Sequence, residues 1–330
     1  MIASETFSSK SMENVGHLES GQVELSDLLE ETRQQIADAV SPSAVTEYLA
    51  GSLHRLRRRL HPNVWQSLAP SVWQHEIFNY FLQDPLTRWS FEKPRGYSGD
   101  ARLLDFIYGH PDVAKDIENS SALGRELYNH TSMVASSVAV RERCSLVTRY
   151  VDEIASQCGT NAEILTIAAG HLREAQLSTS LASGKIKRWV ALDQDNKSVE
   201  MIAKSYPGTV VKATEGTVRN LITRPKQHGF FDFIYASGLY DYLSDRVAIK
   251  LTRVCLSLLK PGGTFMFANF STDTHSDGYM ETLMNWALLW RNEQSMWKII
   301  NESIDDDAYQ TRVEFGENRN VLYGFIEKSR

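Results

Sequence analysis

Three short stretches carry residue types that could do chemistry together. The first, Ile167-Ala168-Ala169-Gly170-His171, ends an apolar run that begins at Glu163. The second, Leu192-Asp193-Gln194-Asp195, closes another apolar run about 20 residues on. A small residue at the end of a strand lets the backbone approach a nucleotide-like ligand, and a following helix offers free N–H groups. An acid at the end of the next strand can hold two ribose hydroxyls. The third stretch, Ser237-Gly238-Leu239-Tyr240-Asp241-Tyr242, offers aromatic faces that attract a cation and walls that exclude water.

Each reading has a plainer rival. Asp193 could instead cap a helix over 196–204, although Asp195 is better suited to that role. His171 either hydrogen-bonds a ligand carboxylate or caps the turn and points outward. Arg95, in Lys93-Pro-Arg-Gly-Tyr-Ser-Gly-Asp100, could clamp a carboxylate with its fork or make an ion pair that anchors the loop. Tyr128, Asn129 and His130 lie on one helix, where any of them could line a pocket or simply pack. Trp286 and Trp290 share a helical face within 279–297 and read as core. The run His54-Arg55-Leu56-Arg57-Arg58-Arg59 could suggest RNA. Its leucines recur at helical spacing, which favours a solvated helix face.

The elements that must position these residues fall into two groups. Residues 23–155 read as helical, with starts at Ser41-Pro42, Ser71 and Asp100, breaks at His61-Pro62 and Asp84-Pro85, and a long helix over 121–157. From Glu163 short apolar strands alternate with helices, at 163–168, 188–193, 209–213, 231–236 and 263–269, the pattern of a parallel sheet. Residues 310–315 and 321–326 then read as an antiparallel hairpin. The expected organisation is a flexible N-terminus over 1–22, a helical domain over 23–158 and an α/β domain over 159–330.

Taken together, Gly170, Asp193, Phe231-Asp232-Phe233-Ile234-Tyr235-Ala236-Ser237, Leu258-Leu-Lys-Pro-Gly-Gly-Thr264 and the final hairpin resemble the class I S-adenosylmethionine (SAM)-dependent methyltransferases. The blocks 93–100 and 238–245, with Asn269-Phe270, resemble a bacterial branch carrying a helical N-terminal lid. That branch includes small-molecule methyltransferases and enzymes that close SAM on itself to azetidine-2-carboxylate. The resemblance implies an α/β Rossmann-like sheet with a C-terminal antiparallel hairpin and a helical lid domain. It implies that SAM lies against Ala168, Gly170, His171, Asp193, Gln194, Thr214, Glu215, Ser237 and Gly238. It places Tyr240, Tyr97 and Arg95 at the chemistry, and Arg95, Tyr97, Tyr128, Asn129 and Asn269 around the substrate. The first motif departs from the family, with Ala168-Ala169-Gly170-His171 where two or three glycines are usual. Alanine can replace glycine where φ stays negative.

The 330 residues are 42% hydrophobic and carry a net charge of −6, which argues against wholesale binding of a phosphate backbone. The Asn/Asp-Pro-Pro-aromatic signature of nucleobase and glutamine methyltransferases is absent. Three cysteines without C-x-x-C form no disulfide framework and fit a cytoplasmic protein. No apolar stretch is long enough for a membrane, and the histidines show no metal-ligand spacing. The expectation is a monomeric or dimeric, metal-free enzyme of small-molecule biosynthesis, with no nucleic-acid or membrane partner. It would transfer methyl to a small carboxylate, hydroxyl or amine. Cyclisation of SAM with release of 5′-methylthioadenosine, and SAM binding without turnover by a regulator, are the rivals.

Overall fold

The computed structural model describes residues 3–304 and 308–330, with the backbone alone over 3–17 and at Lys226. Two compact units emerge: Met1–Ser137 with His275–Ala287, and Val138–Thr274 with Leu288–Arg330.

In the second unit, apolar runs rich in β-branched and aromatic residues form seven strands. They are β1 (Ala162–Ile167), β2 (Ile186–Asp193), β3 (Val211–Glu215), β4 (Phe231–Ala236), β5 (Leu259–Phe270), β6 (Tyr309–Phe315) and β7 (Val321–Lys328). Their order is β3-β2-β1-β4-β5-β7-β6. The first five are parallel, while β7 runs antiparallel to both β5 and β6. This is the Rossmann-like sheet with a C-terminal antiparallel hairpin that the resemblance implied. The strand order reverses direction between β1 and β4. In open α/β sheets a ligand sits at such a switch point, outside the carboxyl ends of the strands.

Sheets covered on both faces need nearly continuous apolar strands, and β1 and β4 are buried along almost their whole length. On one face Leu165, Ile167, Val190, Leu192, Ile234 and Phe267 pack with Leu251 and Cys255 of helix Asp245–Ser257 and with Met296 and Ile300 of helix Glu293–Asn301. Each fully buried side chain of this size contributes about 1.5–3 kcal/mol. On the other face lies helix Ala135–Gln157, whose Tyr150 packs on Phe233 and Phe325 at ring separations of 6.3 and 4.9 Å. Val140, Val147 and Val151 form its buried stripe.

The first unit is helical. Helices Pro42–Arg59, Pro62–Leu68 and Pro85–Glu92 begin at proline, each preceded by a side-chain cap (Ser41, His61 and Asp84). Proline suits that position because its missing N–H would be unpaired there anyway. The two dipeptides expected as breaks are therefore also starts. Asp100 caps helix Ala101–Tyr108, as its position suggested.

Several expectations change. Of the segment 1–22, residues 3–22 lie in helix Ala3–Ala37, and residues 1–2 lie outside the described residues. Ser71 caps nothing and donates back to Leu68 O at 2.7 Å. The long helix over 121–157 is two helices, Ala122–Thr131 and Ala135–Gln157, and most of the second belongs with the sheet, so the unit begins at Val138, ahead of the expected boundary at 158. Helix Asp277–Thr282 stops before Asn285, which has φ +47°. Trp286 and Trp290 consequently share no helical face and fall in different units. Of the arginine run, Arg55, Arg58 and Arg59 are solvated as expected. Arg57 instead turns inward and binds Asp277 and Glu281 at 2.9 and 2.8 Å.

Candidate functional site

At the carboxyl edge of the sheet the chain leaves β1 through a tight, unusual turn. Ala168, Gly170 and Leu172 all have left-handed backbone, with φ near +55°. The expectation that Ala168 keeps a negative φ is thus wrong. Non-glycine residues held in this region are strained, and such strain gathers at ligand sites. Ala169 N–H donates to Leu192 O at 3.0 Å, which ties the turn to β2.

Asp193 organises the edge. Its Oδ2 accepts the Gly170 N–H at 2.7 Å, and its Oδ1 accepts the Asp195 N–H at 2.8 Å. Its backbone carbonyl accepts the Gly216 N–H at 2.8 Å, so one residue joins the ends of β1, β2 and β3. Burial pushes its carboxyl above the usual range, against the opposing N–H bonds from Asp195 and Gly170. A carboxylate has about four acceptor positions, and the backbone N–H groups of Gly170, Asp195 and Gln194 do not use them all. The helix-cap alternative for Asp193 fails, because Asp195 caps helix Asn196–Ser205 through the Lys197 N–H at 3.0 Å. A side chain at Gly216 would begin 2.6 Å from Leu192 Cδ1, so a larger residue there would push the Leu192 side chain aside.

Around Asp193 the edge stays open. Ala168, Gln194 and Glu215 are exposed, and Gly170, Thr214, Ser237 and Gly238 are half-buried. His171 does not point outward. It is 3% exposed, with Nδ1 3.3 Å from Arg173 Nη2. Below the turn Glu174 is buried and takes the Tyr235 hydroxyl. Burial pushes the Glu174 carboxyl up, with Tyr235 and Arg143 opposing.

The segment after β4 divides its residues differently from expectation. Tyr240, expected at the chemistry, turns into the core. It is 0% exposed, its hydroxyl lies 2.8 Å from Thr252 Oγ1, and its ring packs 4.4 Å from Phe267. Tyr242 remains exposed. Asp241 is buried, accepts the Phe270 N–H at 2.6 Å, and is pushed up to about 6 by burial, with Arg143 opposing. Asn269, expected to meet substrate, is fully buried. Its amide donates to Leu289 O at 2.8 Å, and its oxygen accepts from Arg291. Arg291 also donates to the carbonyls of Tyr240 and Leu243, which makes it the staple of this segment.

Arg95, Tyr97, Tyr128 and Asn129 belong to the helical unit. Arg95 Nε lies 3.9 Å from Asp100, whose carboxylate also takes the Trp89 indole N–H at 2.9 Å. Tyr128 is buried and donates to Phe106 O at 2.8 Å, whereas Asn129 is exposed. The same unit brings potential ligand atoms of Asp105, His110 and Asp112 within 4.8 Å of one another. Asp112 N–H already donates to His110 Nδ1 at 3.2 Å.

Sequence reasoning missed Arg143. It is 3% exposed, and its Nη1 has no hydrogen-bond partner among the described residues. Its guanidinium lies 6.0 Å from the Phe270 ring centre, and a side chain at Gly238 would begin 3.7 Å from its Nη2. The signal was its place within the apolar stripe Val140, Val147 and Val151, where a charge is costly unless it is used.

No protein-family model matches the chain, and no curated protein matches it in sequence. Solved structures do match its fold. A candidate exported protein from Bordetella parapertussis superposes with a TM-score of 0.59 at 16% identity, over 94% of this chain and 97% of that one. A candidate methyltransferase from Thermobifida fusca superposes with a TM-score of 0.50 at 14% identity, over 70% of this chain and 94% of that one. At these identities the shared property is the fold. Among the described residues, no helix is long and apolar enough to cross a membrane.

Proposed function

We propose that the protein is a SAM-dependent transferase that methylates a small carboxylate, hydroxyl or amine. The observation that carries this reading is Asp193, a buried acid at the end of β2 with both oxygens already oriented by Gly170 and Asp195 and with lone pairs left over. A vicinal diol is the ligand such a carboxylate suits best. Gly170, Gln194, Thr214 and Glu215 would flank the nucleoside, and Ser237 and Gly238 would lie toward the reacting end. When bound, SAM supplies an electrophilic carbon on a sulfonium. The residues need only position it and exclude water, since alignment and desolvation do most of such chemistry. Tyr240, spent on the core, is not part of that machinery.

The test is mass spectrometry of the purified chain incubated with SAM, alone and with panels of small carboxylates, hydroxyl compounds and amines. S-adenosylhomocysteine that forms only with an acceptor supports methyl transfer. Release of 5′-methylthioadenosine from SAM alone, above the spontaneous rate, replaces it with cyclisation. Binding without either product leaves a regulator.

A further inference from the structure

We propose that Arg143, together with the hydroxyl of Tyr323, forms a carboxylate-binding subsite at the Gly238 end of the sheet edge. The assignment rests on reading that edge as SAM-binding and names the group that one part of it holds.

Two buried polar groups on the same face of the sheet lack hydrogen-bond partners among the described residues. Arg143 Nη1 is one, and the Tyr323 hydroxyl, on a residue 0% exposed, is the other. Tyr323 pairs across from Ala268, two residues before Phe270, over whose ring the guanidinium lies. Strand alternation puts Tyr323 and Phe270 on one face. The influence of Arg143 reaches Tyr323 as well, opposing the upward push of burial on its phenol. A buried group of either kind costs free energy when unpaired, so both are unusual in a settled core.

The neighbouring acids do not complete Arg143. Asp241 is engaged by the Phe270 N–H and Glu174 by the Tyr235 hydroxyl; both feel the Arg143 charge, yet neither gives its Nη1 a hydrogen bond. They do bound the charge of the ligand. One planar cation with two acids nearby suits a monoanion and opposes a dianion such as phosphate. A guanidinium fork and a hydroxyl match the two oxygens of a carboxylate. That carboxylate has two possible sources, the methionine end of SAM or the acceptor.

The experiment is calorimetric titration of the full chain and its Arg143→Gln, Arg143→Lys and Tyr323→Phe variants. The probes are S-adenosylhomocysteine, 5′-methylthioadenosine, which lacks the amino-acid carboxylate, and octanoate added to protein saturated with S-adenosylhomocysteine. If SAM supplies the carboxylate, Arg143→Gln weakens S-adenosylhomocysteine about 100-fold and leaves 5′-methylthioadenosine unchanged. If the acceptor supplies it, S-adenosylhomocysteine binds the variant normally and octanoate binding is lost. Arg143→Lys, a point charge without the fork, falls between. Tyr323→Phe deletes an oxygen with no hydrogen-bond partner among the described residues, so it melts at or above wild type while the relevant ligand weakens about fivefold. Unchanged affinities for every probe in both Arg143→Gln and Tyr323→Phe overturn the subsite. Failure of wild type to bind either nucleoside sinks the SAM reading instead. The subsite would then stand only if octanoate binds wild type and not Arg143→Gln.

Discussion

The Gly170 N–H donates to Asp193 Oδ2 at 2.7 Å, so the turn after β1 is held by the acid at the end of β2. The bond does two things. It satisfies a buried carboxylate, and it fixes the left-handed turn at the height where a ligand would cross the sheet. With the Asp195 N–H on the other oxygen, the carboxylate has little freedom to rotate, so its remaining lone pairs point in set directions. Such preorganisation lowers the entropy lost on binding.

The strain at Ala168 gives a stability prediction. Alanine at φ +55° costs about 1–2 kcal/mol relative to its preferred backbone. Glycine relieves that cost but adds freedom to the unfolded chain, worth about 0.4–1 kcal/mol. Ala168→Gly should therefore raise stability by about 0.5–1 kcal/mol in urea denaturation. A loss of stability would mean that the methyl group packs favourably enough to outweigh the strain.

Tyr240 separates a core role from a chemical one. Tyr240→Phe removes the bond to Thr252 and keeps the ring against Phe267. The expected result is a stability loss of about 1 kcal/mol with turnover within about twofold of wild type. A turnover loss of 100-fold in a folded variant would return the hydroxyl to the reaction.

Asp241 gives a pH prediction. Burial raises its carboxyl to about 6, above the ordinary aspartate value near 4, so the folded chain holds this proton more tightly than the unfolded one. Its contribution is fully present below about pH 4 and is lost as pH rises through about 6. The loss amounts to roughly 2–3 kcal/mol. Asp241→Asn should therefore gain on wild type between pH 4 and 6 and keep a constant lead above that, as read from melting curves across pH. Parallel curves would show that Asp241 titrates normally.

The fold was legible because it rests on strong local signals. Apolar runs at 163–168 and 231–236 are too short and too continuous for surface helices, and Gly170 and Asp193 fall where such strands end. The helical segments were legible where a cap and a proline coincide, as at Ser41-Pro42 and Asp84-Pro85. What stayed hidden depends on tertiary neighbours. Periodicity could not show that the chain breaks at Asn285 and that Trp286 and Trp290 part company. Tyr240 and Tyr242 look equivalent in sequence, and only packing against Phe267 and Thr252 decides which is core. Arg143 lies between Arg141 and Glu142 on one side and Cys144 on the other, where a charge reads as surface. Its burial follows from the face that helix Ala135–Gln157 turns to the sheet.

The central claim is that Asp193 holds the ribose of SAM, and titration of SAM into wild type and Asp193→Asn tests it most directly, with melting curves to show that both are folded. The expected result is one SAM bound per wild-type chain and an affinity roughly 10–100-fold weaker in the variant, the loss of one hydrogen bond to a charged acceptor. No binding of SAM to wild type, or equal binding to a folded Asp193→Asn chain, would contradict it.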